Sequence, residues 1–392
     1  MIGKEHEAEK IAEFIAKALK IERNSLCFCT SGRKFKHCCG RNIGSDLTFL
    51  EDEIKAGMAY KKAKGEIKGI PAGIWKKLEQ GALQRFNCLF PGCRDKTVSC
   101  HLIPENILRA SYGSFCSEYR MDSDSGGWHF YQVGVGKANC LPVFCSYHDN
   151  KLFKKIDPMV IDFSSQEQLF LLAFKALAFC IRKNQYLASI ASQVEIFRPF
   201  WIQELYQLPN GSNVTIDLSK FQTAYTRFLI QNGFWKRAVR AYKNKDWDFF
   251  SYFHRVVPSP APLFYATFTN PLHDLEGKRI NTPEQPIATT ATMFTKDGYL
   301  HVLLSPTGGQ SKIAYEPFLR QLEAIDDQTF KTIINNIFTH YVETLLLPET
   351  FSLTNDDFNK INAARNYSAT GTLQPNEILD LKNSDRAVRF VR

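Results

Sequence analysis

Apolar residues near the N-terminus recur at helical spacing. Ile11, Phe14, Ile15, Ala18 and Leu19 share one face, with Glu and Lys on the others, which predicts a short amphipathic helix over residues 5–20. Two further helical patterns, near 46–64 and 72–86, flank a lysine-rich stretch of Lys61, Lys62, Lys64 and Lys68 and read as a connector. From Cys88 to Ile156 the apolar segments are short and broken by Gly, Pro, Asp and Ser, the pattern of a small unit held by something other than a large core. Ser164-x-x-Glu167 reads as a capping box opening an apolar helix to about Ile190, and helical periodicity continues intermittently to about Phe253. The proline-rich run Val256–Pro262 stops the helices. Thr289–Thr295 and Tyr299–Ser305, joined through Lys296-Asp297-Gly298, then predict a β-hairpin. Residues 315–346 return to helical spacing, and the polar stretch beyond Asn366 reads as a loosely ordered tail.

A chain of 392 residues exceeds the size at which one core keeps growing, so two or three domains are expected. The expected fold class is α+β multidomain: an N-terminal cysteine-bearing loop, a second cysteine-bearing minidomain, and a helical core with a C-terminal hairpin-containing region. The expected boundaries are 1–45 (helix and cysteine loop), 46–86 (connector), 87–157 (minidomain), 158–256 (helical), 257–365 (α+β) and 366–392 (tail). With 44% hydrophobic residues and 31 Phe the chain has ample material for a core, which excludes a disordered polypeptide. The formal net charge of +9 favours an anionic partner such as nucleic acid or a ribosome. The N-terminus shows no apolar signal region, and the longest apolar run, Leu169–Ile181, is interrupted by Lys175 and too short for a bilayer. A cytoplasmic protein with no membrane partner is expected.

In a reducing compartment, eleven cysteines, most in short-spaced groups, indicate metal ligation rather than disulfides. Cys116 and Cys180 stand apart as packing residues. The first group is Cys27-Phe-Cys29-Thr-Ser-Gly32-Arg33-Lys34-Phe35-Lys36-His37-Cys38-Cys39-Gly40, a loop able to close around one tetrahedral zinc. It resembles the SEC-C motif, a short zinc-binding segment, and that resemblance pairs Cys27 and Cys29 with Cys38 and Cys39. His37 in place of Cys38 is the alternative. Four thiolates leave no position for substrate, so the site is structural. Arg33, Lys34, Lys36 and Arg41 form a positive knob that suits a phosphate or an acidic protein face, or offsets the charge of the zinc tetrathiolate.

The second group joins Cys88-Leu-Phe-Pro-Gly-Cys93 to Cys145-Ser-Tyr-His148, a Cys3His set, with Ser99-Cys100-His101-Leu102-Ile103-Pro104 and Asn139 between them. Here the chain resembles the zinc-stabilised HNH, or ββα-metal, nucleases. The resemblance implies His101 as general base, Asn139 as its orienter and Asp149 as a ligand of a catalytic Mg2+ or Mn2+, with Zn2+ in two structural sites overall. Cys100 stands where that family often has Asp, and Asp149 where it has His. A ligand set recruiting Cys100 or Cys140 is the alternative. Gly126, Gly127, Gly134 and Gly136 mark a loop and hairpin inserted between His101 and Asn139.

Phe234–Lys243 reads as an amphipathic helix with Trp235, Ala238, Val239 and Tyr242 inward, and with Lys236, Arg240 and Lys243 at a spacing able to track phosphates. A plain solvated face is the alternative. The function expected from the whole is a zinc-containing nucleic-acid-binding protein acting as a metal-dependent HNH-like endonuclease, an architecture that suits host defence by analogy of fold alone. The rival is a non-catalytic zinc adaptor docking onto protein, ribosome or nucleic acid. No dinucleotide or phosphate-loop fingerprint and no nucleophile elbow is present.

Overall fold

The computed structural model of the chain describes residues 86–121, 128–158, 160–206, 219–269, 271, 273–280, 289–340, 344–361 and 388–391, together with Asn24, Lys34 and His37; residues 120, 121, 128, 187–206, 219–229 and 340 are described by backbone alone. The elements are β1 (Cys100–His101), α1 (Glu105–Tyr112), β2 (Phe115–Met121), β3 (Trp128–Gly134), β4 (Cys140–Leu141), α2 (Ser146–Phe153), α3 (Gln166–Tyr206), α4 (Ser219–Asn244), β5 (Phe253–Pro258), β6 (Phe264–Thr269), β7 (Thr289–Lys296), β8 (Tyr299–Pro306), α5 (Gln310–Ala324), α6 (Asp327–His340) and β9 (Leu346–Leu347). They form a mixed α and β structure with a two-stranded sheet, β1-β4, and a seven-stranded antiparallel sheet in the order β3-β2-β9-β6-β7-β8-β5.

The expected hairpin is β7-β8. Lys296 pairs with Tyr299, and Asp297 and Gly298 between them take φ of 52° and 79°. Two positive φ values make the turn whose twist matches that of the strands. Strands β6 and β7 are buried almost throughout, because helices cover both faces. Phe264, Ala266 and Phe268 of β6 pack with the α3 and α4 side, alongside Phe174 and Trp235. Tyr265, Met293, Val302 and Leu304 pack on the other face with Tyr315, Phe318 and Phe330 of α5 and α6. Alternation at period two thus divides one sheet between two cores. Each fully buried large side chain contributes about 2–3 kcal/mol.

The hairpin inserted between His101 and Asn139 becomes β2-β3 and extends the main sheet. Ser117 and Glu118 of β2 pair with Leu347 and Leu346 of β9, which continues to Phe264 of β6. Tyr112 fixes this junction, its hydroxyl donating to the carbonyls of Pro262 (3.0 Å) and Leu346 (2.9 Å). Segments 87–157 and 257–365 therefore share one sheet.

Three expectations shift in detail. Helix α3 is capped one residue later than the Ser164 pattern suggests: Gln168 N donates to Ser165 Oγ, and Ser164 instead bonds to Asp162. The 315–346 helix is two helices and a short strand, α6 being started by Asp326, which accepts from Thr329 N at 2.9 Å. The polar tail ends in residues that do not lie loose: Val388, Phe390 and Val391 are buried, and Asn335 both donates to Val391 O (3.0 Å) and accepts from Val391 N (2.7 Å). The physical reason is the apolar Val-Arg-Phe-Val sequence at the end of a polar stretch. Among the described residues, no helix is long and apolar enough to cross a membrane.

The Asn335 clamp generates a prediction. Asn335→Ala leaves both buried groups of Val391 without their partner and lowers stability by about 1–3 kcal/mol, which urea unfolding reads directly.

Candidate metal centre

The first knuckle closes because Gly92 takes φ of 87°, which a Cβ would strain, letting Cys93 N reach Phe90 O at 3.1 Å. Cys88 N donates to Asp95 O at 2.9 Å, so the loop folds back on itself. The second knuckle is made by helix geometry: Cys145 is the N-cap of α2 and His148 lies one turn inside it, on the same face.

The four ligand atoms of Cys88, Cys93, Cys145 and His148 all lie within 4.8 Å of one another. Cys93 Sγ is 3.8 Å from Cys145 Sγ, and His148 Nδ1 is 3.5 Å from Cys88 Sγ and 3.2 Å from Cys145 Sγ. A tetrahedral zinc with ordinary Zn–S and Zn–N bonds has S···S edges of about 3.8 Å and S···N edges of about 3.6 Å. Three soft thiolates and an imidazole at these separations fit zinc in both donor chemistry and size. Burial pushes the Cys88 thiol up to about 12, with Cys145 and Cys93 adding to it, and burial also raises Cys93. The cation's charge is what turns such thiols into thiolates. Desolvation, then Lys151, lowers His148, keeping the imidazole in its neutral ligand form. Phe90 stacks on the His148 ring at 4.4 Å. Cys100 and Cys140 stand outside this set: Cys100 Sγ accepts from Phe144 N at 3.4 Å, and Cys140 Sγ lies 3.5 Å from Ala138 O. Cys116 and Cys180 are buried, as packing residues are.

Arg182 of α3 joins the two knuckles. It is fully buried, donating from Nη2 to Asn87 O (2.6 Å) and Val143 O (3.2 Å), the carbonyls just ahead of each knuckle, and from Nη1 to Gln185. Its guanidinium lies over Phe86 at 4.5 Å, and Trp235 Nε1 adds a bond to Leu89 O. Sequence reasoning passed over Arg182. The chain offers no distinguishing signal for it, because Arg182 opens the polar stretch Arg182-Lys183-Asn184-Gln185 directly after the apolar run Leu169–Ile181.

Of the residues singled out for catalysis, His101 lies in β1, Asn139 just before β4 and Asp149 in α2. His101 ends β1, which pairs with β4 through Cys100↔Leu141 and His101↔Cys140. Its Nε2 lies 3.3 Å from Val135 O and 4.0 Å from Glu105 Oε2. Asn139 is adjacent, its carbonyl accepting from Leu102 N, but its side-chain amide donates to Thr344 O at 3.0 Å. The group that fixes the imidazole is therefore the Val135 carbonyl. Asn139 instead occupies a left-handed turn, φ 47°, that asparagine tolerates, and ties it to the strand leading into β9. Asp149 is raised above the ordinary carboxylate range by burial, opposed by Lys175 and His101, and its Oδ1 is buried without a hydrogen-bond partner. Lys175, itself buried, pairs with Asp157 at 3.1 Å. Cys100 is buried and pushed up to about 12, first by burial and then by Asp149.

Lys236, Arg240 and Lys243 are exposed on α4, above buried Trp235, Ala238 and Val239. In the N-terminal loop, Lys34 and His37 are exposed and joined by a 2.9 Å backbone bond. Cys27, Cys29, Cys38, Cys39, Arg33 and Lys36 lie outside the described residues.

A family model, that of the SEC-C motif, matches residues 23–41. No curated protein and no solved structure matches the chain. The chain thus carries a motif that indicates zinc binding and, separately, a Cys3His cluster compatible with zinc.

Two outcomes follow for this centre. Cys145→Ala loses one equivalent of tightly bound zinc and at least ~3 kcal/mol of stability, read by metal analysis and denaturant unfolding. Arg182→Met takes the Arg182 donor from Asn87 O and one of two donors from Val143 O, and costs about 3 kcal/mol. Arg182→Lys does not restore it, because an ammonium lacks the planar fork that spans two carbonyls; thermal unfolding of the three proteins decides this.

Proposed function

We propose that the protein is a zinc-containing nucleic-acid-binding protein that acts as a metal-dependent HNH-like endonuclease. The observation that carries the reading is the pairing of an oriented imidazole with an orphaned carboxylate oxygen. A neutral His101 that donates its Nε2 proton to Val135 O presents Nδ1 as a lone pair, the form a general base requires. Asp149 Oδ1 is a hard oxygen donor left without a protein partner in the first turns of α2. That donor fits Mg2+ or Mn2+, which Asp149 would hold together with phosphate oxygens and water. When bound, such a cation stabilises charge developing on a phosphodiester and its leaving oxygen. His101 takes the proton from the attacking water, and Glu105 Oε2 stands 4.0 Å from its Nε2. Lys175 favours the ionised form of Asp149 against its burial. The zinc cluster does no chemistry in this scheme. It fixes where α2 begins relative to β1 and β4, and so where Asp149 stands relative to His101.

The SEC-C-like segment serves in this reading as an accessory zinc module for nucleic acid or protein. A second reading, a non-catalytic zinc scaffold that docks onto protein, ribosome or nucleic acid, is favoured by the Asn139 amide being committed to Thr344 and by a thiol at Cys100.

The deciding experiment incubates plasmid DNA and structured RNA with wild-type protein and His101→Ala, zinc content verified, with Mg2+ or Mn2+ supplied. The expected result is cleavage by the wild type and a loss of roughly 10²–10⁴-fold in rate on removal of the base. Zinc-loaded wild type that cleaves neither substrate supports the scaffold.

A further inference from the structure

Helix α4 and the first knuckle bring basic and aromatic side chains together beside the exposed face of α2. Around α2, Tyr147 and Lys151 lie four residues apart on one exposed face, while Leu152 and Phe153 are buried and Asp149 is half-buried on the other. Tyr147 is 59% exposed, and Lys151 donates to its hydroxyl at 2.7 Å while lying 5.1 Å from its ring. Next to it, Phe90 of the first knuckle stacks on the zinc-ligand candidate His148 and meets Tyr242 of α4 edge-on at 6.4 Å. Lys243, the next residue of α4, lies over the same Phe90 ring at 5.6 Å. Arg240 and Lys236 continue the row along α4, both exposed. Lys236 to Lys243 spans about 10 Å of helix, close to three phosphate steps of one nucleic acid strand.

We infer that Lys151, Lys236, Arg240 and Lys243, with Tyr147 and Phe90 at their end, form a docking ridge for the sugar-phosphate backbone of a nucleic acid. The inference deepens the proposed function by naming the surface that holds the substrate, and it rests on that reading for the identity of the partner. Charge complementarity selects the occupant: four exposed cations in a row meet a chain of regularly spaced anions, and the exposed Tyr147 offers a face for a base. Of the acidic groups around the row, Glu167 pairs with Lys155 at 2.5 Å and Asp95 lies 3.4 Å from the Cys93 sulfur, while Asp246 and Asp248 are exposed just past the end of α4. Because Tyr147 and Lys151 lie on the exposed face of α2 and Asp149 on its other face, the ridge grips backbone outside the reacting position, as a holding site for flanking nucleotides.

The test measures binding of a fluorescent duplex DNA and of a single-stranded RNA to the full chain over a series of salt concentrations, in the absence of Mg2+ and Mn2+. Wild type is compared with a ridge variant (Lys151→Gln, Lys236→Gln, Arg240→Gln, Lys243→Gln) and with a control that loses the same charge elsewhere (Lys278→Gln, Lys296→Gln, Lys312→Gln, Arg320→Gln). All three are checked for zinc content and thermal unfolding. The ridge variant is expected to bind at least ~10-fold more weakly than the control, with a salt slope shallower by about 3. The arm that shows the larger loss identifies DNA or RNA as the backbone held. Equal weakening of ridge variant and control, or no weakening of either while wild type binds, overturns the ridge and leaves nucleic-acid binding standing. Wild type that binds neither nucleic acid overturns the ridge and the proposed function together. If the fourfold variant unfolds, Lys236→Gln with Arg240→Gln, both on the solvent side of α4, is read by the same criteria with a slope change of about 2.

Discussion

Two segments separated by about fifty residues of sequence have to meet at one point, and the Cys3His tetrahedron is the constraint that makes them do so. Cys88 and Cys93 come from a tight loop, Cys145 and His148 from the start of a helix. Neither segment has a regular element long enough to hold its partner by packing alone, since β1 and β4 are two residues each. The ligand-atom separations match the edges of a zinc tetrahedron, and the protein supports that geometry from behind. Arg182 bonds to a carbonyl ahead of each knuckle, and Trp235 bonds to the carbonyl of Leu89. A buried guanidinium is costly unless its hydrogen bonds are met. Here Nη1 and Nη2 of Arg182 find acceptors in Gln185 and in the carbonyls of Asn87 and Val143.

The segment that bears the Cys3His cluster is continuous with the rest of the structure. Phe144 packs between Phe153 and Trp235, and the same apolar cluster runs on through α3 and α4 to Phe264 and Phe268 on the sheet. The β2-β3 hairpin leaves the zinc segment and becomes the far edge of the seven-stranded sheet, joined through the two-residue strand β9. His101, Asn139 and Asp149 thus stand where three supports meet: the knuckles, the β1-β4 ladder, and the Thr344–Leu347 stretch that receives the Asn139 amide. In the proposed function, a shift in any of these supports changes the separation of base and carboxylate, on which activation of water depends.

Much of the local structure was legible in the chain. The Asp297-Gly298 turn was readable because few residues accept two successive positive φ values, and the inward face of α4 because helical spacing is indifferent to what lies opposite it. The Cys3His set was readable because its residue types leave few alternatives. Other features were not. The capping residue of α3 depends on which of two adjacent serines is free, and Ser164 is taken by Asp162. Helices α5 and α6 share one apolar pattern, broken only where Asp326 caps the second. The burial of Val388–Val391 depends on Asn335 and Thr339, about fifty residues away in sequence.

By itself, the sequence determined the donor atoms, the periodic faces and the turns, because each of these is set within a few residues by covalent geometry and side-chain chemistry. Only the tertiary structure decided how they combine. It placed β9 between β2 and β6, turned Arg182 onto both knuckles, gave His101 the Val135 carbonyl and gave Asn139 to Thr344. Each of those outcomes is a choice among several chemically equivalent partners. A carbonyl is the same acceptor wherever it lies in the sequence, so what selects one is distance in the folded chain.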